Sequence, residues 1–120
     1  MAHLEDHLVD LVKNSDVATA SAAAGIATAT ISAVAGRVNV ICKVDAAYST
    51  PTDSGLLTVT ITTAGGARTI TKYMHGAGAI DFGVFGLSCA ASNTAITAAL
   101  AAGAGTGVVA ATYYTTGPNN

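Results

Sequence analysis

Arg37-Val-Asn-Val-Ile-Cys-Lys-Val-Asp-Ala-Ala-Tyr48 is the stretch whose reading decides the fold. Its even positions, Val38, Val40, Cys42, Val44, Ala46 and Tyr48, are apolar or amphipathic. Its odd positions, Arg37, Asn39, Ile41, Lys43, Asp45 and Ala47, are mostly polar. Successive side chains of a strand point to opposite faces, so this alternation predicts a half-buried β-strand. Val38, Val40, Cys42 and Val44 are expected on its dry face, Arg37 and Lys43 on its wet face. A helix would scatter the same residues around its circumference.

Moving outward toward the C-terminus, residues 49–55 are rich in turn formers. Leu57, Val59 and Ile61 then alternate with Thr58, Thr60 and Thr62 in a second strand. Ala64-Gly-Gly-Ala67 supplies a hairpin turn, and residues 68–74 return with Ile70 and Met74 on one face. His75-Gly-Ala-Gly78 turns again, Ile80, Phe82 and Val84 mark a short strand, and residues 87–93 read as loop. Residues 94–100, a glycine-punctuated hairpin over 101–107, and residues 108–114 close the set. Toward the N-terminus, Ala35-Gly36 turns the chain out of a first strand over residues 25–32. About seven short strands at turn spacings of roughly 8–12 residues predict an all-β, antiparallel β-sandwich, jelly-roll-like, spanning residues 26–116.

Residues 1–16 differ from the rest. Leu4, Leu8 and Leu11, with Val12, fall at helical spacing and form one apolar stripe. Glu5 and Asp6 lie early and Lys13 late, as suits a helix dipole. This predicts a short helical arm that docks Leu4, Leu8 and Leu11 on a neighbouring subunit. Residues 17–25, mostly Ala, Ser and Thr, read as a low-complexity linker.

The composition of the 120 residues is unusual: 10% are charged, against about 25% in ordinary soluble domains. The hydrophobic share is 51%, but much of it is alanine, which buries little area per residue. A small-residue core under an uncharged skin predicts a homo-oligomer, with a trimer expected. The net charge of −2 argues against nucleic acid as a partner, since phosphate needs a basic face. Cys42 and Cys89 set no disulfide framework and read as two buried thiols. The uncharged run over residues 17–36 is diluted by Thr, Ser and Gly, unlike a membrane span, and acidic residues precede it where a secretory leader would be basic. A cytoplasmically made protein is expected.

Motifs that could carry chemistry are thin. His3 and His7 are four apart with Glu5, Asp6 and Asp10 nearby, but no further ligands follow at metal-site spacing. His75-Gly-Ala-Gly78 lacks the Gly-x-Ser-x-Gly elbow that would make it an oxyanion loop. Gly103-Ala-Gly-Thr-Gly107 misplaces the third glycine of a dinucleotide fingerprint. Ser88, Asp81 and His75 are the types of a triad without its context. No enzyme, cofactor or metal is expected. Tyr48, Tyr73, Tyr113 and Tyr114 could form a sugar-binding platform, or seal core edges with their hydroxyls in water.

From Arg37 onward the chain resembles phage head decoration (capsid cement) proteins and related head-fibre modules. The matching features are Val38-Asn-Val-Ile-Cys-Lys-Val-Asp-Ala-Ala-Tyr-Ser49, Gly55-Leu-Leu-Thr-Val-Thr-Ile61 and Gly76-Ala-Gly-Ala-Ile-Asp-Phe-Gly83. Ala95-Ile-Thr-Ala-Ala-Leu-Ala-Ala-Gly103-Ala-Gly105 and the closing Tyr113-Tyr-Thr115 complete them. The resemblance implies a β-sandwich on the capsid exterior, often trimeric, that staples neighbouring capsomers, with major capsid protein as partner. The arm lies outside it. The expectation is a structural virion protein, made in the host cytoplasm and carried on the head. The alternative is a fibre or surface recognition module that binds host glycans.

Overall fold

The computed structural model describes residues 16–83 and 85–116. Nine strands run in order: β1 (Asp16–Ala23), β2 (Ala27–Ile31), β3 (Val38–Tyr48), β4 (Ser54–Thr63), β5 (Gly66–His75), β6 (Ala77–Asp81), β7 (Leu87–Ser88), β8 (Ile96–Leu100) and β9 (Thr106–Thr116). β-branched and alanine-rich alternation makes these segments extended, and Gly36, Gly66, Gly76, Gly83 and Gly86, all at positive φ, punctuate them.

The pairing is nested. β1 pairs with β9, β2 with β8, β3 with β6 and β4 with β5, all antiparallel. Folded over, this gives a front layer ordered β1-β9-β3-β6 and a back layer ordered β2-β8-β4-β5. Setting aside the two-residue β7, which pairs with β3, that order is a jelly roll. The layers join at one corner, where His75 pairs with Ala77 across Gly76.

The core lies between the layers. The front contributes Ile41, Val44, Ala46, Tyr48, Val109 and Ala111; the back contributes Ala27, Ala29, Ile31, Leu57, Val59, Ile61, Met74, Ile96, Ala98 and Leu100. Small and large residues face each other across the ladder: Val44 opposite Ala111, Ala46 opposite Val109, Tyr48 opposite Gly107. Such complementarity lets an alanine-rich interior reach native packing density.

The structure overturns four expectations. Residues 16–23, read as arm end and linker, form strand β1, which pairs along its whole length with β9. Low complexity disguised it, because Ala18, Ala20 and Ala22 pack against the core while Thr19 and Ser21 face out. The clean parity of β3 also fails. A bulge at Cys42 breaks the β3–β9 register between Ile41 and Lys43. Ahead of the bulge the odd residues Asn39 and Ile41 turn inward, each 0% exposed. Val40 and Cys42 are displaced to the outer side, beneath Gly86, while Val38 packs at the core margin and Val44 keeps its expected place. Finally, residues 77–81 form β6, so that strand starts within the expected His75–Gly78 turn, and residues 87–88, read as loop, form β7. The helical arm with Leu4, Leu8 and Leu11 lies outside the described residues, as does Val84.

Candidate functional site

The outer side of the front layer is concave. Thr19 and Ser21 of β1, Val108 and Ala110 of β9, Asp45 and Ala47 of β3, and Ala77, Gly78 and Ala79 of β6 line a groove of about 930 Å³. Strand parity places these side chains, and their small size makes the hollow: the inward-facing neighbours Ala20, Ala46 and Val109 form its floor. Val108 is among the exposed large apolar residues. Asp45 is the only charged lining residue among those described, and its Oδ1 sits 3.5 Å from Lys43 Nζ at the rim. Both side chains are about half exposed, so water screens this pair and it adds little stability.

The outer side of the back layer is of another kind. In register across its four strands run Thr30 of β2, Thr97 of β8, Thr60 of β4 and Thr69 of β5. Thr58 and Thr71 form a second pair beside them. This is a hydroxyl-bearing, hydrated face. At its end the exposed Tyr73 packs edge-on against His75, with centroids 4.9 Å apart, and its hydroxyl lies 3.0 Å from Ser54 Oγ.

The tyrosines do not make one platform. Tyr48 is a core residue whose hydroxyl donates to the Ala101 carbonyl at 2.7 Å. Tyr113 packs on the core, and Tyr114 donates to the Phe85 carbonyl at 2.9 Å. Burial is the main cause pushing all three phenols up. Asp53 and Tyr73 add to it at Tyr48, Asp16 at Tyr113, and Cys42 at Tyr114.

The residues of the imagined triad are engaged separately: His75 with the Tyr73 ring, Asp81 accepting from the Gly83 N–H, and Ser88 donating to the Cys89 carbonyl. Gly103 and Gly105 lie in the connection from β8 to β9 and Gly107 in β9 itself, and the Gly105 N–H donates to Asp53 Oδ2 at 3.0 Å. Cys89 lies in the core and Cys42 is half-buried; burial pushes both thiols up, and the Asp81 carboxylate adds to the effect at Cys42. No group of three or more His, Cys, Asp or Glu side chains that could hold a metal occurs among the described residues. His3 and His7 lie outside them. Among the described residues no helix is long and apolar enough to cross a membrane.

No family model matches the chain, and no curated protein matches it in sequence. Solved structures similar to it include the CBM32 module of AlyQ in complex with 4,5-unsaturated mannuronic acid: TM-score 0.44, 8% identity, over 78% of this chain and 75% of that one. The virus-like particle of extra small virus from the giant freshwater prawn Macrobrachium rosenbergii is another, with TM-score 0.37 and 17% identity over 84% of this chain and 77% of that one. The C-terminal domain of A223, a structural protein from Sulfolobus turreted icosahedral virus, is similar with TM-score 0.38 and 14% identity over 82% of this chain and 98% of that one.

Sequence reasoning missed the groove. Its signal was present in the apolar residues at wet-face positions, Ala47 in β3 and Val108 with Ala110 in β9, which make those strands apolar on both sides.

Proposed function

We propose that the chain is a structural virion protein that decorates a capsid shell and docks on it through the groove of the front layer. The observation that carries this reading is the groove's chemistry. A wide hollow of small, nearly uncharged side chains permits close approach of a partner's backbone, and depletion of charge is the mark of an interface core. A face of this kind offers broad contact and nothing to activate a substrate, so no catalytic step is assigned. Each contact is modest, and attachment gains its strength from repetition on a symmetric shell. The partner is major capsid protein, the location the outer surface of the head, and Leu4, Leu8 and Leu11 extend the contact from the segment ahead of β1.

The test is co-sedimentation of purified protein with undecorated shells. Ala110→Arg, which places a guanidinium in the hollow, is expected to lower shell binding at least tenfold without changing the melting temperature. Thr60→Arg on the opposite face is expected to bind as wild type does. Equal binding by both variants would sink the assignment. Removing residues 1–15 is expected to weaken binding and leave the strand circular dichroism unchanged.

A second reading, glycan recognition, is favoured by Tyr73, which is 56% exposed and held edge-on by His75. Glycan-array binding that disappears in Tyr73→Ala would select it over the first.

A further inference from the structure

The two long sides of the sandwich are built differently. On one side β5 and β6 meet at the His75–Ala77 corner, and this side carries charge: Arg68 and Lys72 on β5, Asp81 on β6. Lys72 Nζ also donates to the Ala79 carbonyl at 2.9 Å, capping part of the β6 edge. Charged side chains of this kind are the usual protection against a strand adding to a sheet edge.

The opposite side carries a single charge among the described residues, Asp16 at the start of β1. It is formed by β1 and β2, the terminal strands of the two layers, and neither has a second strand partner among the described residues. Residues 17–36 contain no Lys, Arg, Asp, Glu or Pro. The eight residues of β1 pair with β9 in unbroken register, so no bulge twists the edge away. Large apolar side chains stand exposed here, Val17 of β1 at 50% and Ile26 in the β1–β2 turn at 66%. Among the described residues one side is protected and the other is left open.

We infer that the β1 edge is a homodimer interface, at which β1 of a second copy adds in antiparallel register and joins two front layers into one continuous sheet. Several observations select a second copy as the occupant. Antiparallel self-pairing is two-fold symmetric, so a single edge serves both partners. Residues directly opposite each other must share a face. A register centred on Ala20 satisfies this, with Ala18 opposite Ala22, Thr19 opposite Ser21, and Val17 opposite Ala23. In that register no charge faces its own copy, because Asp16 falls opposite Ala24. The same axis brings the two β2 edges to face each other in the back layer.

The contact is also large enough. A strand of eight residues is about 26 Å long, and the shortest dimension of the molecule is 21 Å. A side face of that size buries on the order of 1,100 Å² in a pair, just above the roughly 1,000 Å² that a specific interface needs. The pair replaces the trimer expected from composition, since an isologous edge closes at two. The groove opens on the sheet face and the interface runs along its side, so the two meet only at β1, where Thr19 and Ser21 border both.

The experiment is native mass spectrometry of the full chain at micromolar concentration, with light scattering in parallel. Wild type is expected as a dimer. Val17→Lys with Ala23→Lys, both at exposed positions outside the groove, sets like charges opposite each other. That variant is expected to be monomeric, with wild-type circular dichroism and melting. Val17→Glu with Ala23→Glu should also be monomeric. Mixing the two variants should restore a mixed dimer, because Lys then faces Glu across the edge. A monomeric or trimeric wild type overturns the inference, as does a dimer that survives either double substitution. Two monomeric variants that fail to pair when mixed overturn the proposed register. A wild type that dimerises only once residues 1–15 are removed would assign the edge to the chain's own leading segment, and the inference fails.

Discussion

The side-chain amide of Asn39 donates to the main-chain oxygen of Thr94 at 2.9 Å, fixing the approach to β8 against the start of β3. The same nitrogen donates to the Ser32 carbonyl at 3.0 Å, at the exit of β2. One buried amide thus ties three segments. Its Oδ1 is buried and accepts no hydrogen bond from the described residues. Asn39→Ala strands two carbonyls and is expected to cost about 2–4 kcal/mol, read from urea denaturation midpoints. Asn39→Asp is sharper. It sets a carboxyl against two acceptors, which raises its folded-state pKa above the unfolded value of about 3.9. The favourable protonated form then prevails below the unfolded pKa and is lost as pH rises through the folded one. This variant should therefore lie closer to wild type in stability at acid pH than at neutral pH. A penalty independent of pH would show that the two carbonyls do not face the new carboxyl.

The bulge at Cys42 makes a prediction opposite to simple alternation. Ile41 sits at a position that alternation assigns to water, yet it is fully buried. Ile41→Asp is expected to cost as much as Val44→Asp, several kcal/mol in each case against a total of about 5–15. Lys43→Gln, between them on the outer side, should change stability by less than about 1 kcal/mol, since its pair with Asp45 is half exposed. Thermal and urea unfolding decide this. An Ile41→Asp variant as stable as Lys43→Gln would restore the unbroken parity and remove the bulge.

The extent to which the fold was legible follows from these cases. β4 and its partners read clearly, because Leu57, Val59 and Ile61 alternate with threonines and the two faces differ in hydropathy. β1 was illegible, because Ala18, Ala20 and Ala22 on the inner face scarcely differ from Thr19 and Ser21 on the outer one. The bulge was invisible for a related reason. Flipping Val40 and Cys42 for Asn39 and Ile41 exchanges residues of similar size, and only the pairing with Tyr113, Tyr114 and Thr112 fixes the choice. The groove depended on strand order, which no local pattern encodes: β1, β9, β3 and β6 are far apart in the chain.

Gly86 and Gly36 separate two costs that a single glycine usually combines. Both have positive φ, +71° and +75°, where an L side chain is strained by about 1–2 kcal/mol. At Gly36 a Cβ would meet nothing within 4 Å. At Gly86 it would approach the Ile41 carbonyl oxygen to 2.6 Å and Val40 Cγ1 to 2.7 Å, against the β3 backbone. Gly36→Ala should cost about 1–2 kcal/mol, and Gly86→Ala an additional 1–3 kcal/mol or so from overpacking. Equal losses in urea denaturation would mean that residues 85–88 do not press on β3 as described.

Tyr48 links the core to the alkaline limit of stability. Its ring is buried opposite Gly107, its hydroxyl donates to the Ala101 carbonyl, and burial, reinforced by Asp53 and Tyr73, pushes its pKa up. A tyrosine ionises at about pH 10 in the unfolded chain. Because the folded value is higher, the stabilising contribution is fully present below about pH 10 and is lost as pH rises through the folded pKa. Tyr48→Phe removes both the hydrogen bond and this linkage. It should cost about 1 kcal/mol near neutral pH while making stability fall less steeply above about pH 10. Tyr113 and Tyr114, also pushed up, leave part of the slope in place. Urea midpoints compared at about pH 8 and about pH 11 measure the difference. A Tyr48→Phe variant with the wild-type slope would show that the hydroxyl is not held neutral by its burial.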